Sequence, residues 1–151
     1  MDSRFEHLLI TRKHFITLID NLTTEELNKV PKGFSNNIIW NVVHCMVTQQ
    51  GLMYGLSGLE QLMSKDVILQ YKHGTRPEKD LTENEITSFK NQLVPMLETT
   101  VKDYENGAFS NFKKYTTSKG YSLSSIEDSI NLVNIHEGIH LGYALAIRKT
   151  L

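Results

Sequence analysis

Apolar residues recur at three- and four-residue steps along four long stretches of the chain, the spacing that puts side chains on one face of an α-helix. In the first stretch Phe5, Leu8, Leu9, Phe15, Ile16 and Ile19 form the stripe, and Arg12 stands among them. Ser3-Arg4-Phe5-Glu6 reads as a capping box at its start, in which Ser and Glu satisfy backbone donors that a helix N-terminus leaves free. Thr23 with Glu26 repeats the box and predicts a short helix stopped by Pro31 and Gly33. A second long helix is predicted after Ser35-Asn36-Asn37, running to about Met63. Ile39, Val42, Met46, Met53 and Leu56 face inward, with Gln49 or Gln50 filling the missing step.

Residues 64–81 read as a connection, broken by Gly74 and Pro77. Thr82 and Glu85 form another box, Leu81 can staple onto Ile86, and the third long helix continues through Phe89, Leu93, Leu97, Val101 and Tyr104. Pro95 lies inside it and predicts a kink, because proline cannot donate the backbone bond. Residues 106–124 have no clear period and hold Asn106-Gly107 and Gly120; long ordered loops of this kind are more often functional than not. The last helix is predicted from Ser124 or Ser125 almost to Leu151, with Ile126, Ile130, Val133, Glu137, His140, Ala144, Ile147 and Leu151 as its stripe. No segment predicts a strand strongly and no repeat divides the chain. The pattern predicts an all-α helical bundle with one domain over residues 1–151.

Composition narrows the setting. With 40% hydrophobic and 22% charged residues the chain has the make-up of a globular protein, which argues against extended disorder. The formal net charge is −1 and no stretch is rich in Lys and Arg, so a nucleic-acid partner, which calls for a basic face, is disfavoured. No apolar run reaches the length of a membrane span. The single cysteine, Cys45, leaves no intramolecular disulfide, and the N-terminus has no signal-peptide character, so the expected location is the cytoplasm.

The chemistry concentrates in the last helix, at His136-Glu137-Gly138-Ile139-His140. Histidines four apart lie one turn above each other and can share one metal ion. The spacing alone also fits two helical histidines satisfied by water or by nearby carbonyls. The same residues spell the H-E-x-x-H signature of zinc proteases, but after His140 the chain has no His, Asp, Glu or Cys to complete that site. A di-iron carboxylate bundle needs two Glu-x-x-His motifs, and only one is present. A third ligand must come from upstream, and His44 on the second long helix is the best placed. His7, His14 and His73 read as surface or helix-flank residues. Three imidazoles with an open position make a catalytic kind of metal site, at which an ion lowers the pKa of coordinated water or polarises a carbonyl.

Asn37-Ile38-Ile39-Trp40-Asn41-Val42-Val43-His44, followed by Gln50 and Leu56-Ser57-Gly58-Leu59, resembles the second helix of the DinB-like superfamily. The ending His136-Glu137-Gly138-Ile139-His140-Leu141-Gly142-Tyr143-Ala144, with Arg148 beyond it, resembles the same family's last helix, and Tyr71-Lys72-His73-Gly74-Thr75-Arg76-Pro77 is similar to its connection. The resemblance implies a four-helix bundle in up-down-down-up order, with one divalent ion, zinc or nickel, on His44, His136 and His140. It also implies metal-dependent hydrolysis, or transfer or isomerisation with a low-molecular-weight thiol, on a small-molecule substrate, and a homodimer. The alternative is a non-catalytic bundle that binds a metal or small ligand as a sensor or carrier. Glu137, on the inner stripe, is a candidate base or partner to a ligand, or else pairs with a cation of the first helix such as Arg12; Trp40 and Tyr54 are candidate pocket walls, or else ordinary core aromatics.

Overall fold

The computed structural model of the protein describes residues 2–151. Its helices, in chain order, are α1 (Ser3–Asp20), α2 (Thr24–Asn28), α3 (Ile38–Met53), α4 (Lys65–Tyr71), α5 (Glu83–Glu105) and α6 (Ile126–Arg148). A two-stranded antiparallel hairpin, β1 (Tyr115–Thr116) with β2 (Ser122–Leu123), precedes α6. The protein is thus mostly helical, with α3 packed along α6 and α1 against both α5 and α6. Among the described residues no helix is long and apolar enough to cross a membrane.

Local chemistry explains most boundaries. Both predicted boxes at Thr23/Glu26 and Thr82/Glu85 are formed, and Ser125 with Asp128 makes another at the start of α6. The box expected at Ser3 is not: α1 begins one residue earlier, because Asp2 is the cap and accepts the Arg4 N–H at 2.9 Å. The second long helix stops at Met53, ten residues short of the expected end. Gly55–Ser57 tighten into a 3-10 turn, Gly58 takes a φ of +69° that glycine adopts most readily, and the Gln50 side chain caps the Leu62 N–H at 2.7 Å. Two segments hold elements that went unpredicted. The connection at 64–81 contains α4, capped by Ser64, and the loop at 106–124 contains a 3-10 turn and the hairpin. The helix runs unbroken through Pro95. That residue is exposed, as is Asn91, so water can serve the carbonyl the ring leaves without a helical donor.

The core is two apolar clusters separated by a polar layer. One gathers Phe15, Val42, Met46, Leu93 and Ile147; the other gathers Phe5, Leu8, Met53, Leu97 and Ile130. Each long helix gives this layer one residue with no exposed surface: Arg12, Gln49 and Glu137 fall between residues of the two clusters, and Thr100 lies between Leu97 and Val101 of the second. Arg12 donates to Glu137 Oε1 at 2.8 Å, to Gln49 Oε1 at 2.7 Å and to the Leu93 carbonyl at 2.8 Å, while Gln49 donates to Thr100 Oγ1 at 2.8 Å. One guanidinium therefore ties together all four long helices. A charge buried this deeply is tolerated because its partners leave little of it uncompensated.

Candidate metal centre

Asn37 sets the start of α3 by accepting the Trp40 N–H at 2.8 Å, which places His44 almost two turns into a helix buried on nearly every side. His136 and His140 reach the same spot from α6. The three ring centroids lie 4.4–5.0 Å apart, and one nitrogen from each ring falls within 4.8 Å of the others. Nitrogens held at about 2.0–2.1 Å from one zinc ion sit within that reach of each other.

Hydrogen bonds fix two of the three rings. His44 Nδ1 lies 2.6 Å from the Tyr71 carbonyl, which can only accept, so Nδ1 carries the proton and Nε2 keeps its lone pair. His140 Nδ1 lies 2.7 Å from Asn41 Oδ1. The Asn41 amide group donates to the Asn37 carbonyl and to Asn36 Oδ1, which makes Oδ1 the acceptor and again frees Nε2. These are the supports that metal-ligating imidazoles usually have. His136 differs: its Nδ1 is buried and has no hydrogen-bond partner. Burial, and then the neighbouring His140 and His44, push His136 down to about 3, and burial with His44 pushes His140 down to about 4. His44 is lowered too, chiefly by burial. Three neutral imidazoles facing one point, with an orphaned polar atom among them, fit a divalent cation on the chemistry of the donors alone.

A cavity of about 490 Å³ opens onto this cluster. Its walls come from α3 and α6, and its rim from the hairpin and His73. Trp40 is a wall, with its ring stacked on His44 at 4.6 Å and 10°. Tyr54 is not: it is buried in the second apolar cluster, edge-on to Phe109, with its hydroxyl on Asp103. Glu137 turns from the histidines into the core, where Arg12 engages it. His7 and His14 are exposed and away from the cavity, whereas His73 is exposed but lines it. Cys45 follows His44 in the chain yet faces the core; it is 1% exposed, and burial pushes its thiol well above the ordinary range.

Sequence reasoning found the three histidines and missed their supports. Asn41 stands one turn before His44, a spacing that could have marked it; the Tyr71 carbonyl is main chain and leaves no signal in the sequence. The hairpin residues at the rim lie in the segment singled out as a functional loop.

A mostly helical protein with a three-histidine cluster able to hold a metal ion at the base of a cavity is the class that fold and site define. The DinB superfamily pattern matches residues 7–144, and the chain belongs to that family. No curated protein matches it.

Proposed function

We propose that the protein is a single-domain four-helix bundle, ordered up-down-down-up over residues 1–151, that holds one divalent ion, zinc or nickel, on His44, His136 and His140. Its activity in this reading is that of a metal-dependent enzyme on a small molecule, either a hydrolase or a transferase using a low-molecular-weight thiol. The observation that carries it is the set of three imidazoles at the base of an open cavity, two of them with Nδ1 held by an acceptor so that Nε2 keeps its lone pair. The polar layer that joins α1, α3, α5 and α6 supports the bundle. A homodimer belongs to the same reading, and the net charge and single buried cysteine fit a cytoplasmic setting.

A bound divalent ion supplies electrostatic polarisation of an oxygen or sulfur atom that reaches the open side of the cluster. The chain's own residues do the rest. The Tyr71 carbonyl and Asn41 hold the His44 and His140 protons on Nδ1, so that both rings present Nε2. Trp40 walls the cavity and keeps the His44 ring in plane, and the hairpin covers part of the mouth. Glu137 is a positioning residue: through Arg12 it fixes the rotation of α6 and with it the aim of His136 and His140.

Elemental analysis of the purified, tag-free protein beside a His136→Ala/His140→Ala variant tests this. About one equivalent of zinc or nickel, lost in the variant, is expected. Metal that fails to bind even on reconstitution would sink the reading, and turnover of esters or thiol acceptors that depends on added metal separates an enzyme from a carrier.

A further inference from the structure

We propose that the cavity takes an organic anion: its apolar body rests on Ile135 and Ile139 of α6, and its anionic group pairs with Lys119 on the hairpin turn. The inference rests on the reading of the histidine cluster as the reacting end of the cavity, and it specifies the substrate class.

Charge is the first argument. The chain has 17 acidic residues, yet no carboxylate lines the cavity, and Lys119 is the full positive charge on its wall. Among the described residues no carboxylate is ion-paired with Lys119. Hydrogen-bonding capacity is the second. Asn36 Oδ1 is already used by Asn41, so its amide N–H groups remain, beside the hydroxyls of Tyr115 and Tyr121 and the His73 ring. Such a lining is rich in donors, and a carboxylate or related anion is a ligand that only accepts.

Shape is the third. Ile135 and Ile139 are 48% and 61% exposed, and Tyr115 and Tyr121 are nearly half exposed across from them, which leaves apolar area for a ligand body. The turn that carries Lys119 is built rather than loose. Gly120 donates to the Thr117 carbonyl at 2.9 Å, Thr117 N–H donates to the Tyr121 carbonyl at 2.9 Å, and the Tyr121 N–H donates to Thr117 Oγ1 at 3.1 Å. Gly120 closes it with a φ of +88°. The cation is thus held at the mouth on an ordered support, where it can select among ligands.

The experiment is a titration of the whole protein with 4-phenylbutyrate, 4-phenylbutan-1-ol and 4-phenylbutylamine at low ionic strength. It is read by the fluorescence of Trp40, the single tryptophan, with metal content measured for every sample. The anion is expected to bind about fivefold more tightly than the alcohol, near the upper end for an exposed ion pair, and the amine most weakly. K119R should keep that order, and K119E should remove it in metal-free protein, where no bound ion can attract the carboxylate. Equal affinities, no binding by any of the three, an anion preference of the metal-free protein that survives K119E, or a preference confined to metal-loaded protein overturns the proposal. Metal content reports separately on the histidine site: a metal-free protein that still prefers the anion supports the anion site while the metal reading fails.

Discussion

His136 and Glu137 are neighbours on α6, and their polar atoms meet opposite fates. Glu137 enters the core fully buried and is matched there by Arg12, which is matched in turn by Gln49 and the Leu93 carbonyl. His136 turns to the cavity, where its Nδ1 has no partner and the two rings beside it keep the Nε2 lone pair, that of His44 with only the Thr48 hydroxyl beside it at 3.4 Å. The first arrangement is saturated and holds the fold; the second leaves lone pairs aimed at one point, which is how a binding site differs from a structural network. A sequence motif that contains both residues, as His136 to His140 does, therefore says little about which of its members touch a ligand.

The comparison breaks most visibly at the buried pair. Glu137→Ala leaves the Arg12 charge uncompensated, and a loss of about 3–5 kcal/mol in unfolding free energy is expected by urea denaturation. Arg12→Met with Glu137→Leu should regain most of that stability but bind metal more weakly than the native chain, since the pair that fixes the rotation of α6 is gone; an unchanged metal affinity would remove Glu137 from the account as a positioning residue. Next in size is Asn41→Leu, which removes the acceptor for the His140 Nδ1 proton. Metal affinity, measured by competition with a chelator, should fall about 10- to 100-fold, and Asn41→Asp should lose much less. An unchanged affinity in Asn41→Leu would remove this residue from the account. The smallest effect belongs to Tyr54→Phe, which deletes the hydroxyl bonds to Asp103 and Thr100. It should cost about 1 kcal/mol of stability with metal uptake unchanged, and reduced uptake would return Tyr54 to the cavity side of the comparison.

What the sequence made legible follows the same division. Helix starts could be read because caps are local: the boxes at Thr23 and Thr82 formed as their spacing required. At the N-terminus two adjacent residues could both cap, and Asp2 took the place expected for Ser3. The end of α3 was missed because the apolar spacing continues past Met53 into a segment whose glycines fold it back. The helix α4 is only two turns long, so its stripe of Val67, Ile68 and Tyr71 is too short to stand out, and strands of two residues are too short to show alternation. In the site, His44, His136 and His140 were legible from residue type and helical phase. Their supports were not, because the acceptor for His44 is a main-chain carbonyl from another element. Arg12 was legible as an oddity, a cation on an apolar stripe, and its partner Glu137 stood on the inner stripe of α6.

The burial of Cys45 has a consequence for any sulfur chemistry at this site. The chain's one sulfhydryl is sealed in the core and held protonated, beside the histidines in sequence but turned from them in space. It can neither compete for the ion nor form a mixed disulfide with a co-reactant while the fold is intact. The folded protein is therefore silent toward sulfhydryl reagents, and every sulfur atom counted in a thiol-consuming reaction belongs to the added reactant.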